Sequence, residues 1–138
     1  MPRFFQKAGD QDDKYMKNFK KNFSGKEGET AAARYLEKNG YEILKRNYRT
    51  SGAEIDLIAK KGETLCFVEV KTRKSGDFGL PEEFVDFRKR RKIIRATRVF
   101  IGRRKYADMY VRFDIVSVVY DGAKTKINHI ENAFEEAP

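Results

Sequence analysis

Apolar positions along this chain follow two periodicities. They recur every three or four residues from about residue 24 to 40 and again from 81 to 102. Between and beyond those stretches they alternate, or run unbroken, over strand-length segments. Ser24-Gly25-Lys26-Glu27 has the spacing of a capping box, Ser24 as N-cap and Glu27 three residues on, and Gly40 is a stop signal. The first helix is therefore expected to reach about Asn39. Tyr41–Arg49 is β-rich, Ser51-Gly52 turns the chain, and Ala53–Ala59 and Leu65–Lys71 read as strands joined through Lys60-Lys61-Gly62-Glu63. Thr72–Leu80 is polar and contains glycine, so it reads as a loop. Pro81 is expected to open a second helix, with Glu82 and Glu83 at its positive end, running to about Ile101 before Gly102. Tyr110–Tyr120 and Lys124–Ile130 read as strands around an Asp121-Gly122 turn.

These elements predict an α/β fold in the order α-β-β-β-α-β-β, a central mixed sheet of four to five strands flanked by helices. Residues 1–23 carry no apolar pattern long enough for a core element. Tyr15, Phe19 and Phe23 are four apart, which would suit a short docked helix, but a charged, mobile extension is the stronger reading. Residues 24–131 are expected to form one domain and 132–138 a tail.

Several ionisable groups interrupt this pattern. Asp56 lies inside one apolar strand; Glu69 and Lys71 lie in the next. Alternation puts Glu69 and Lys71 on one face with Leu65 and Phe67, and Cys66, Val68 and Val70 on the other. A buried charge must be paired, coordinated or left wet. A Glu69–Lys71 pair fraying at a strand end would satisfy this. Asp56 on the preceding strand favours a site instead, because acids on adjacent strands can share a divalent cation with a lysine beside it. Glu29 falls in the middle of the first helix's Ala32–Ala33–Leu36 face. It is either a wet helix-start glutamate or part of the same site. On the second helix Arg88, Arg91, Lys92, Arg95 and Arg98 form a stripe without an acid, opposite an arc of Phe87, Ile93, Ile94, Thr97, Phe100 and Ile101. Lys89 and Arg90 leave that stripe, Lys89 toward the core or the sheet edge. Asp114 could be a further acid near the sheet, but a strand-start cap or a partner for Arg112 is the stronger reading. His129, in a polar stretch, is expected at the surface.

Composition narrows the partners. Hydrophobic residues make up 40% of 138, enough for one core, and the net charge is +9. That excess favours a polyanion, and the stripe suits phosphate contacts. No apolar run approaches the roughly 20 residues of a membrane helix, and no signal-peptide pattern opens the chain, so no membrane association is expected. The single Cys66 suits a reducing compartment, and the cytoplasm is the expected location. With one histidine, zinc or triad chemistry built on imidazole is disfavoured. No phosphate-cradling glycine motif is present.

The order of elements, with acids on the second and third strands, resembles the PD-(D/E)xK, or restriction-endonuclease-like, superfamily. Gly25-Lys26-Glu27-Gly28-Glu29-Thr30-Ala31-Ala32, Gly40-Tyr41-Glu42-Ile43-Leu44, Asn47-Tyr48-Arg49, Glu54-Ile55-Asp56-Leu57-Ile58-Ala59, Phe67-Val68-Glu69-Val70-Lys71-Thr72-Arg73 and Arg112-Phe113-Asp114, in that order, resemble the YraN family over about residues 24–120. Ala53 departs from it, where relatives often carry Gly. The resemblance implies a nuclease-type core, similar also to archaeal Holliday-junction resolvases. It assigns Asp56 and Glu69 to metal binding, Lys71 to the motif lysine, Glu29 to the first-helix acid and Lys89 to the second-helix lysine.

The expectation is a Mg²⁺- or Mn²⁺-dependent phosphodiesterase acting on DNA, including structured or branched DNA. Asp56, Glu69 and the Val70 carbonyl would hold the metal, Lys71 would assist attack, and Glu29 would complete the site. Lys89, with Arg88, Arg91, Lys92, Arg95 and Arg98, would position the backbone. Junction cleavage would require two active sites, hence a homodimer. The rival is a non-catalytic nucleic-acid-binding module on the same fold; a third reading is a partner-binding subunit whose charge serves solubility.

Overall fold

The structure is a computed structural model that describes residues 25–76, 85–102, 104–122 and 124–135. Its elements are α1 (Gly25–Lys38), β1 (Glu42–Thr50), β2 (Ala53–Lys61), β3 (Thr64–Lys74), α2 (Phe87–Ile101), a 3-10 turn (Arg104–Tyr106), β4 (Tyr110–Asp121) and β5 (Lys124–Phe134). The five strands form one sheet in sequence order, β1-β2-β3-β4-β5. Pairing is antiparallel except between β3 and β4, which run parallel and so need a crossover, which carries α2. The expected α/β architecture with a mixed sheet and flanking helices is the one observed.

Each helix buries one face of the sheet. Ala32, Ala33, Tyr35 and Leu36 of α1 pack on Leu57, Ala59, Cys66, Val68, Val70, Val116, Val118 and Ile127. Ile93, Ile94, Ala96 and Phe100 of α2 pack on Ile55, Ile58, Leu65, Phe67, Phe113 and Ile115. The two faces of β3 divide as alternation requires. β3 is nearly continuous in apolar residues because it is covered on both sides. In β2 the alternation breaks at Asp56: Ile55 packs toward α2 and Leu57 toward α1, although they are two apart.

Two glycines shape α1. Gly40, at φ +88°, takes the left-handed conformation that ends the helix, and Tyr41 N–H returns to the Leu36 carbonyl at 3.0 Å. Gly28 faces β3 so closely that a Cβ there would lie 1.8 Å from Thr72 Oγ1.

Four expectations change. α2 begins at Phe87, not Pro81. Asp86 is its N-cap, and its Oδ1 accepts the Lys89 N–H at 2.9 Å. Ser24, Pro81, Glu82 and Glu83 lie outside the described residues, as does the extension 1–23. β3 continues through Thr72, Arg73 and Lys74, which were expected in a loop, because β4 pairs with it along its whole length. β5 continues past Ile130 to Phe134, whose ring stacks on Phe113 at 5.0 Å. Phe87, expected on the apolar arc, is 65% exposed at the helix start, with the Arg91 guanidinium 5.8 Å from its ring centre.

His129 is also not a surface residue. Its side chain is 6% exposed, and its Nε2 lies 2.7 Å from Asp114 Oδ2. Arg112 donates to both oxygens of Asp114 and to Tyr41 Oη, the Asn132 N–H adds a further bond to Asp114, and the His129 ring meets Tyr35 and Tyr41 edge-on. Burial alone would raise the Asp114 pKa, but these bonds outweigh it and hold the carboxyl below its ordinary value. Asp114 is thus the partner of Arg112, on the sheet face that α1 covers. Among the described residues no helix is long and apolar enough to cross a membrane.

Candidate functional site

Four elements converge on one open pocket of about 420 Å³, lined by Glu29 of α1, Asp56 of β2, Glu69, Val70 and Lys71 of β3 and Tyr120 of β4. Lys89 of α2 enters from the side and pairs through Nζ with Glu69 Oε1. The ladder between β2 and β3 explains the gathering. It runs from Lys61↔Thr64 to Leu57↔Val68 and stops there. Two residues further along β3, the Val70 N–H donates to Asp56 Oδ2 at 2.8 Å. Asp56 therefore sits where the two strands part, and its side chain takes the place of a ladder acceptor. The Asp86 cap fixes the start of α2, which sets Lys89 opposite Glu69.

The site is electrostatically strained. Burial, then the neighbouring Glu69 carboxylate, push the Asp56 pKa up from 3.8 to about 8, against the bond from Val70. Glu29 is raised as well, first by burial and then by Glu54 and Glu69, with a bond from Asn47 opposing. Glu69 is only 7% exposed and has Lys89 as its counter-ion. Carboxylates pushed toward protonation in this way are relieved by a proton or a cation.

Glu29, Asp56, Glu69 and Lys71 all line the pocket, but the acids whose oxygens cluster within 4.8 Å of one another are Glu29, Glu54 and Asp56, without Glu69. Lys89 joins them through Glu69 rather than standing with the stripe. Val70 contributes its N–H to Asp56 as well as lining the pocket. Arg88, Arg91, Lys92, Arg95 and Arg98 are exposed on the outer face of α2 and do not line this pocket. Arg90 turns inward, donating to the Val85 carbonyl at 2.7 Å beside the Phe134 ring.

Two further residues carry no role in the pattern of the sequence. Carboxylate oxygens of Glu29, Glu54 and Asp56 lie within 4.8 Å of one another. Glu54 is two residues before Asp56, so strand periodicity could have flagged it. It also pairs with Arg49 at 3.3 Å. Asn47, at φ +53°, holds the left-handed conformation that Asn tolerates better than most residues and bonds to Glu29. Only its place in the Asn47-Tyr48-Arg49 segment hinted at it.

The fold and site define an α/β protein with a sheet between two helices and a carboxylate–lysine pocket where β2 and β3 part. The pattern of the Uncharacterised protein family UPF0102 matches residues 28–118, and the chain belongs to that family, which is YraN-like. A UPF0102 protein of Geobacter metallireducens is 44% identical over 113 residues, 82% of this chain and 93% of that protein. One from Caldanaerobacter subterraneus is 46% identical over 122 residues, covering 86% and 100%. One from Caldicellulosiruptor bescii is 49% identical over 113 residues, covering 80% and 95%.

Proposed function

We propose that this chain is a divalent-metal-dependent phosphodiesterase of the PD-(D/E)xK type, acting on DNA. The observation that carries the reading is the convergence of Glu29, Asp56 and Glu69 on one pocket with Lys71, where Asp56 is held far above its ordinary pKa. The donor set fits a hard dication. It consists of carboxylate oxygens, whereas the thiol of Cys66 and the imidazole of His129 lie among residues on the α1 face of the sheet. Asp56 and Glu69, with the Val70 carbonyl, would hold Mg²⁺ or Mn²⁺, and Glu29 and Glu54 would serve the same charge.

A bound dication of this kind supplies a polarised water and neutralises phosphoryl oxygens. The chain's own groups do the rest. Val70 N–H fixes the Asp56 rotamer. Lys89 orients Glu69 through its ion pair. Lys71 places a positive charge at the pocket, where it stabilises charge developing on the phosphoryl group. The exposed cations of α2 attract the backbone without choosing sequence.

The test is a cleavage panel over duplex, single-stranded, flapped and four-way DNA and over RNA, with and without Mg²⁺ or Mn²⁺, with Lys71→Ala as control. Metal-dependent DNA cleavage that Lys71→Ala abolishes is the expected result. Salt-sensitive binding with no cleavage under either metal would instead favour the non-catalytic binding module.

A further inference from the structure

The sheet extends beyond the carboxylate pocket on the face that α2 packs against. Register and alternation put Arg73 of β3, Ser117 and Val119 of β4, and Lys126 and Asn128 of β5 on the same face as Glu69 and Lys71. They line a second open pocket, of about 320 Å³, that Lys74, Lys124 and Asp121 close toward the β4–β5 turn; among the described residues none from α2 lines it. Ser117 is 1% exposed, lies in the wall of this pocket, and its Oγ has no hydrogen-bond partner among the described residues. A buried hydroxyl without a partner is unusual, because burial costs it its water and gives nothing in return.

We propose that this second pocket is a binding site for a phosphate group. The donors match that ligand. Among the described lining residues, Arg73, Lys74, Lys124 and Lys126 supply four positive charges and Asp121 a carboxylate, Asn128 supplies an amide, and Ser117 supplies a hydroxyl with no acceptor among the described residues. A cation would meet four like charges, and an apolar ligand would strand all of them. Arg73 and Lys74 line both pockets, so the two are continuous. If the phosphodiesterase reading holds, and only for the source of the phosphate does the inference rest on it, a strand with one phosphate beside Lys71 would lay a neighbouring phosphate between Arg73 and Lys126. The phosphate of a strand end would satisfy the same donors.

The experiment measures oligonucleotide binding by fluorescence anisotropy in EDTA, so that neither cation nor cleavage enters. The probes are one DNA sequence carrying a 5′-phosphate or a 5′-hydroxyl, with inorganic phosphate as competitor. The proteins are wild type, Ser117→Ala, Lys126→Gln and a control at an exposed lysine outside both pockets and the α2 stripe, Lys38→Gln. Loss of one charge-assisted contact should weaken binding roughly three- to ten-fold in Ser117→Ala and Lys126→Gln. Lys126→Gln should also reduce the log–log salt slope by about 1. Ser117→Ala should leave Tm unchanged or raise it, since no bond within the described protein is lost, and inorganic phosphate should compete less well against both variants than against wild type. Equal losses for both probes identify a backbone phosphate; a loss confined to the 5′-phosphorylated probe identifies a strand end.

Wild-type affinity and unaltered phosphate competition in Lys126→Gln would overturn the site, whatever Ser117→Ala does. Failure of the phosphodiesterase reading looks different: no cleavage with metal, but the Ser117 and Lys126 losses still present. Cleavage with both variants binding like wild type removes the phosphate site and leaves the catalytic reading standing.

Discussion

Asp56→Asn should make the metal-free protein more stable, and the gain should grow with pH. The Asp56 pKa rises from 3.8 to about 8 on folding, because burial and Glu69 disfavour its charge. The folded state therefore holds this proton more tightly than the unfolded chain. Stability is undiminished below about pH 4, falls as pH rises through the interval, and levels off above about 8. At pH 7 about three pKa units separate the solution from the ordinary value, and at about 1.4 kcal/mol each the ceiling on the cost is about 4 kcal/mol. Asparagine keeps an oxygen for the Val70 N–H but puts an amide NH₂ where the protonated carboxyl had its O–H, and that imperfect replacement takes back about 1 kcal/mol. The expected net gain is about 2–3 kcal/mol at pH 7 and near zero at pH 4. Urea unfolding of both proteins in EDTA across pH 4–8 reads it directly, because carboxylates elsewhere cancel in the difference. Added Mg²⁺ or Mn²⁺ should then stabilise wild type, by about 2.7 kcal/mol at a hundred times Kd, and the variant far less. A wild-type-to-variant difference that stays flat from pH 4 to 8 would refute the claim that Asp56 is a strained acid.

Three other outcomes follow from named contacts. Lys71→Ala should lower the cleavage rate by about 10²–10³ with duplex affinity nearly intact, since its charge acts where phosphoryl charge develops; an unchanged rate would make it structural. Changing Arg88, Arg91 and Arg95 to Glu should flatten the log–log salt slope of DNA binding by roughly 2–3; an unchanged slope would leave the outer face of α2 as solvated surface. Gly28→Ala should destabilise by about 1–3 kcal/mol in thermal or urea unfolding, despite alanine's better helix propensity, because its Cβ would lie 1.8 Å from Thr72 Oγ1 and 2.9 Å from Thr72 Cβ; a neutral or stabilising change would mean that α1 shifts freely on β3.

The fold was legible where pattern and burial coincide. β3 reads as an apolar run because both helices cover it, and α1 announces its end with Gly40. Boundaries failed where tertiary contact outweighs local composition. Thr72, Arg73 and Lys74 look like loop residues, yet β4 extends the ladder past them. Pro81 is a good helix opener by local chemistry, yet the helix starts at Phe87 because Asp86 supplies the cap and Val85 is buried in the core. His129 looked wet because Asn128 and Glu131 flank it. Its true setting depends on Asp114, fifteen residues away on the neighbouring strand, and no local window contains that pairing.

The carboxylate pocket was legible for a related reason: its members violate the patterns of their own elements. Asp56 and Glu69 interrupt apolar strands, Glu29 interrupts an apolar helix face, and Lys89 leaves the basic stripe. The pattern concealed residues that obey it. Glu54 lies near a turn, where a charge is ordinary, and Ser117 is a small residue inside a strand, where a hydroxyl attracts no notice. Their significance comes from what surrounds them. Glu54 gains it from the oxygens of Glu29 and Asp56 within 4.8 Å, and Ser117 from having no partner among the described residues while lining a pocket with four cations. The two pockets also divide the work physically. The first gathers carboxylates and, on the proposed function, would take a cation; the second gathers cations beside a hydroxyl with no partner among the described residues and, on the proposal above, would take a phosphate. Arg73 and Lys74 join them along one edge of the sheet. On the proposed function, a phosphodiester strand with its cation is the ligand that would answer both demands at once, where an isolated metal or a small anion would answer one.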